Sequence, residues 1–157
     1  MNVQTDSGEL RTLYREVILD HARKPRNFRR LHQATHVAEG INPLCGDKLR
    51  LYLMVDDNAQ VIDAGFEGSG CAISMASASL LTETIRNLSV REAEACFTSV
   101  TARLTQQQAS GEPTVDLPKL EALDGVCEYP SRIKCATLAW HTLHAALTQS
   151  QTSATTE

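Results

Sequence analysis

A chain of 157 residues, 42% hydrophobic and 22% charged, is long enough for one domain with a substantial buried core. Its net charge of -4 gives no electrostatic basis for nucleic-acid binding. No apolar run approaches the roughly 18 residues of a membrane span, and the polar start, Met1 to Glu9, lacks the apolar stretch of a signal peptide. The expected compartment is a reducing cytoplasm, where five cysteines are better explained by metal binding or catalysis than by disulfides.

The spacing of Leu10, Leu13, Tyr14, Val17, Ile18 and His21 predicts a helix over 10–22, ended by Pro25. Arg23 to Arg30 then forms a basic connector, and His36 to Ile41 reads as a short strand. Leu49, Leu51, Leu53 and Val55 alternate with Arg50, Tyr52 and Met54, which predicts a half-buried strand. The turn signal Asp56-Asp57-Asn58 and the return strand Val61 to Phe66 complete a hairpin. From Cys71 to Asn87 the pattern is helical, rich in Ala and Ser. Ser89, with Glu92 three residues on, predicts a capping box ahead of an apolar face made by Val90, Ala93, Phe97, Val100 and Leu104. Gln106 to Val115 is a polar linker, Lys119 to Leu123 one helical turn, and Pro130 with Ser131 starts a last helix running to about Leu147. The expected architecture is α+β: a small antiparallel sheet of about three strands with helices packed over it. One domain spans 10–148, with flexible termini at 1–9 and 149–157.

Cys45 and Asp47 lie two apart on one loop, where Gly46 allows the tight fold that brings both to one point. Cys71 follows Gly-Ser-Gly and opens a helix; Cys135 is expected in the first turn of the last helix, with Ser131 as its N-cap. A helix start favours thiolate over thiol, and Arg132 and Lys134 should lower the Cys135 pKa further. Three thiolates and one carboxylate are the complement for a tetrahedral zinc or an iron–sulfur cluster, and a hard carboxylate among soft thiolates suits an exchangeable zinc site. The spacing of these cysteines alone carries little information, and a purely structural zinc site remains open. Cys96 falls beside the apolar face of its helix and reads as a packed, inert thiol. Cys127 precedes Pro130 on a loop, and its role is open. His21, His32, His36, His141 and His144 show no ligand spacing with the cysteines.

Four segments carry a resemblance. Ile18 to Phe28 (with Asp20-His21-Ala22-Arg23-Lys24-Pro25-Arg26-Asn27 inside it), Asn42-Pro43-Leu44-Cys45-Gly46-Asp47, Phe66 to Ser79 around Gly68-Ser69-Gly70-Cys71, and Arg132 to Trp140 around Lys134-Cys135 resemble the signature and ligand segments of the U-type iron–sulfur assembly proteins, within a resemblance that runs from Leu13 to Leu147. Ala22 replaces the usual Tyr. The resemblance is to the SufU branch of the IscU/NifU N-terminal superfamily. Lys134 stands where the IscU branch has His, and Glu128-Tyr129-Pro130-Ser131-Arg132 stands where that branch has Leu-Pro-Pro-Val-Lys for its heat-shock chaperone, so the resemblance gives no support for chaperone recruitment. Gln106 to Val126 looks like the SufU insertion.

The resemblance implies a SufE/IscU-like fold and zinc held by Cys45, Asp47, Cys71 and Cys135. It also implies Cys45 as acceptor of persulfide sulfur from a SufS-type cysteine desulfurase, with delivery to downstream Suf assembly proteins and support from Arg132 and Lys134. Helix placement alone favours Cys71 or Cys135 as the reactive thiol. The alternative is a scaffold on which the same residues build a transient [2Fe–2S] cluster.

Overall fold

The structure is a computed structural model that describes residues 7–43, 45–105, 123, 130–148 and 153–155. Cys127, and the linker and insertion apart from Leu123, lie outside the described residues. Helix α1 (Ser7–Arg23) leads into β1 (His36–Asn42), β2 (Asp47–Val55) and β3 (Val61–Ser69). Helices α2 (Ala72–Ile85), α3 (Val90–Leu104) and α4 (Pro130–Thr148) follow, and β4 (Ser153–Thr155) ends the described chain. The sheet order is β3-β2-β1-β4. The first three strands pair antiparallel, as the alternating sequence implies, and β4 adds to β1 in parallel from within the segment expected to be a flexible tail. Helix α1 begins at Ser7, ahead of the expected Leu10.

Strand alternation fixes which side chains face the helices. Ala38, Gly40 and Asn42 of β1 and Asp47, Leu49, Leu51 and Leu53 of β2 are all buried. Registry joins Ala38 to Leu51 and Asn42 to Asp47. Helix α4 packs on β1 and β2, with α2 beside it and α3 on its flank. The core between them is built on Leu51, Leu53, Phe66, Leu80, Leu81, Leu138, Trp140 and Leu143. Trp140 Nε1 donates to Ser77 Oγ at 3.1 Å, and that hydroxyl donates to the Ala136 carbonyl at 2.5 Å, so α2 and α4 are joined by satisfied polar groups inside the apolar layer.

Tyr52 departs from the expected alternation: it points away from Leu51 and Leu53 yet is buried. Its strand partner is Gly65, and a Cβ there would lie 2.6 Å from the Arg29 carbonyl oxygen, because the connector after α1 crosses the sheet at this point. The Tyr52 hydroxyl donates to Glu67 Oε1 at 2.5 Å. The predicted capping box is present: Glu92 N donates to Ser89 Oγ at 3.0 Å and Ser89 N to Glu92 Oε1 at 3.1 Å. Among the described residues no helix is long and apolar enough to cross a membrane.

Candidate metal centre

The loop between β1 and β2 carries Cys45. Its fold is set by the Asn42 carbonyl, which accepts from Cys45 N at 3.3 Å and Gly46 N at 2.9 Å. Gly46 has φ +73°, the left-handed conformation that glycine adopts without steric cost, as its place in the loop implies. This turn leaves Cys45 exposed and returns the chain inward, so Asp47 opens β2 with 0% of its surface exposed.

Two helices meet the loop. Cys71 is the N-cap of α2: its Sγ accepts from Ser74 N at 3.4 Å, and its own N–H donates to Asp47 Oδ1 at 2.9 Å. Cys135 on α4 is fully buried, and its thiol donates to Cys45 Sγ at 3.5 Å. Ligand atoms of Cys45, Asp47 and Cys135 all lie within 4.8 Å of one another. Cys71 is adjacent to this set rather than inside it, with its backbone bound to Asp47 and its thiol beside that of Cys135. No histidine of the described residues joins the group.

The electrostatics of Cys135 reverse the expectation from sequence. Its thiol is pushed well above the ordinary thiol range, first by burial, then by the neighbouring Cys45 and Cys71 thiols and Asp47. Helix α4 begins at Pro130, so Cys135 falls beyond the first turn, and Ser131 is inside the helix rather than its N-cap. The exposed helix end that would favour a thiolate is therefore too far away. Arg132 is exposed and lies beside the thiols, and interaction first with Cys135, then with the charges that Cys71, Cys135 and Cys45 carry when ionised, holds its proton more tightly. Lys134 is half-buried, and among the described residues it makes no hydrogen bond or ion pair with the cluster.

A cation fits this donor set. Asp47 Oδ2 is buried without a hydrogen-bond partner, although its sister oxygen is bound to Cys71 N. An unpartnered buried carboxylate oxygen is costly unless something positive meets it. A carboxylate among thiolates at this spacing suits zinc. Two further residues belong to the site. Asn42 is buried with its Nδ2 donating to Cys135 Sγ at 3.7 Å, and Ser74 Oγ is buried without a partner. The signal for Asn42 was the inward alternation of Ala38, Gly40 and Asn42, which carries a polar side chain into the core at the strand end.

Residues 13–155 match the NifU-like N-terminal domain family, and the chain belongs to it. Within that family it is 40% identical over 145 residues to the zinc-dependent sulfurtransferase SufU of Bacillus subtilis, covering 92% of this chain and 96% of that one. It is 39% identical over 135 residues to the iron–sulfur cluster assembly scaffold protein IscU of Thermotoga maritima, covering 86% and 92%. Among solved structures, an iron–sulfur cluster assembly scaffold protein for the SUF system from Fervidobacterium islandicum superposes with a TM-score of 0.75 at 32% identity, over 84% of this chain and 94% of that one.

Proposed function

We propose that this chain accepts persulfide sulfur at Cys45 from a SufS-type cysteine desulfurase and delivers it to downstream Suf assembly proteins in the cytoplasm. Zinc is held by Cys45, Asp47, Cys71 and Cys135. The observation that carries this reading is the convergence of Cys45, Asp47 and Cys135 within 4.8 Å around a carboxylate oxygen that lacks a partner. The similarity to the SufU of Bacillus subtilis, named zinc-dependent, supports zinc. The bound ion would supply positive charge that keeps the thiols deprotonated near neutral pH.

Cys45 is the acceptor because it is the exposed member of the set, on a loop closed by two backbone hydrogen bonds, whereas Cys135 is buried in a helix. Its thiolate attacks the terminal sulfur of the donor persulfide. The donor S–S bond breaks, the donor cysteine leaves as a thiolate, and a new S–S bond is formed on Cys45. Arg132 lies beside the thiols and supports the anionic sulfur, and Lys134 contributes to the docking surface. Wild-type protein is expected to stimulate turnover of such a desulfurase. Normal stimulation by Cys45→Ala would remove Cys45 from the acceptor role.

A scaffold reading, with a transient [2Fe–2S] cluster on the same residues, is supported by the near-equal similarity to the Thermotoga maritima protein. Reconstitution with iron and sulfide separates the two readings. A cluster that forms and passes to an acceptor favours the scaffold, and persulfide on Cys45 favours transfer.

A further inference from the structure

We propose that Asn42 is a positioning residue of the metal centre: its side-chain amide donates to Cys135 sulfur and sets how strongly that thiolate holds the metal. The proposal rests on the metal-centre reading above. Asn42 is tied to the ligands in three ways. Its carbonyl oxygen closes the loop that presents Cys45. Its backbone is the strand partner of Asp47. Its Nδ2 donates to Cys135 Sγ at 3.7 Å across 93 residues of sequence.

Packing alone does not account for an asparagine here. The residue is 0% exposed, and its Oδ1 has no partner, a cost that an apolar side chain would avoid. Ala38 and Gly40 occupy the two preceding inward positions of the same strand. Nδ2, the donor end of the amide, is the end turned to Cys135 sulfur, and a metal-bound thiolate there would attract Nδ2 and repel Oδ1.

The unpartnered atoms also cluster. Among the described residues, the buried side-chain oxygens without a hydrogen bond are Asn42 Oδ1, Asp47 Oδ2 and Ser74 Oγ. Asn42 and Asp47 are paired across the strands. A Cβ on Gly70 would meet Asp47 Oδ1 at 2.6 Å and Ser74 Oγ at 2.9 Å, so Ser74 belongs to the same corner. Polar groups left open at one place, beside thiols, form a shell around a bound ion. Such outer groups orient ligands and tune their donor strength. An N–H···S bond withdraws electron density from a thiolate, so its loss makes the sulfur a stronger electron donor but a less well-placed one.

The test uses the full chain loaded with Co(II) in place of zinc. Asn42→Ala is expected to shift the thiolate-to-cobalt charge-transfer band to lower energy and to weaken zinc binding by about 10- to 100-fold, measured by chelator competition. Asn42→Asp keeps the shape while removing the donor, and it serves if the alanine variant does not fold. It is expected to weaken zinc at least as much, since a carboxylate would then face the thiolate. A wild-type band that either folded variant leaves unmoved, with zinc affinity within twofold, would overturn the proposal. Absence of any charge-transfer band in the wild-type protein is a separate outcome: it would overturn the metal centre and this proposal with it.

Discussion

Cys96 and Cys135 are both buried cysteines in helices, with 1% and 0% of their surface exposed, and both thiols are pushed upward. In α3 the cause is burial first and the charge of Glu92 second, which brings Cys96 to about 11. It belongs to the apolar core with Val100 and Leu104 and serves as a small hydrophobe. In α4 burial is joined by two further thiols and a carboxylate, and Cys135 both accepts from Asn42 and donates to Cys45. Burial alone therefore makes a thiol inert. Burial among other ligand atoms makes a site in which a cation can replace protons that the thiols otherwise share.

The comparison breaks if the two cysteines respond alike to replacement. Cys135→Ala is expected to abolish stoichiometric zinc binding, and Cys96→Ala to retain it, as read by metal analysis after gel filtration. Asp47→Ala is expected to weaken zinc by at least about tenfold, because it removes the hard ligand and the acceptor for Cys71 N. Unchanged affinity would remove Asp47 from the ligand set.

The Cys96 thiol makes an alkaline prediction. Its folded pKa of about 11 lies above the ordinary 9.0, so the folded chain keeps a proton that the unfolded chain has released. The stability from this group is full below pH 9 and is lost as pH rises toward 11, by about 3 kcal/mol in all. Denaturant titrations across that range should show a smaller fall in Cys96→Ala than in wild type. The smallest effect is a control one turn and more along α4 from the thiols. Trp140→Phe removes the bond to Ser77 and should lower stability by about 1–2 kcal/mol while leaving zinc content unchanged.

Much of this contrast is legible in the chain itself. The capping box at Ser89 and Glu92, the β2–β3 hairpin and the start of α4 at Pro130 follow from local signals that the fold does not override. The inert reading of Cys96 follows from its helical face, and the pairing of Cys45 with Asp47 from Gly46. What failed was the local electrostatic rule at Cys135. Neighbouring Arg132 and Lys134 suggest a lowered pKa, but burial and the approach of Cys45, ninety residues away, dominate. Tyr52 is buried because the connector after α1 crosses Gly65, and Asn42 matters because of where α4 lands. Strand alternation shows that Asn42 enters the core, but its sulfur partner, like the burial of Tyr52, depends on long-range packing.

The central claim is that the thiol end of this fold holds zinc for sulfur transfer. Metal and acid-labile sulfide in protein isolated without oxygen test it most directly. The account predicts one zinc per chain and no sulfide; iron and sulfide in equal amounts would contradict it and make the chain a scaffold.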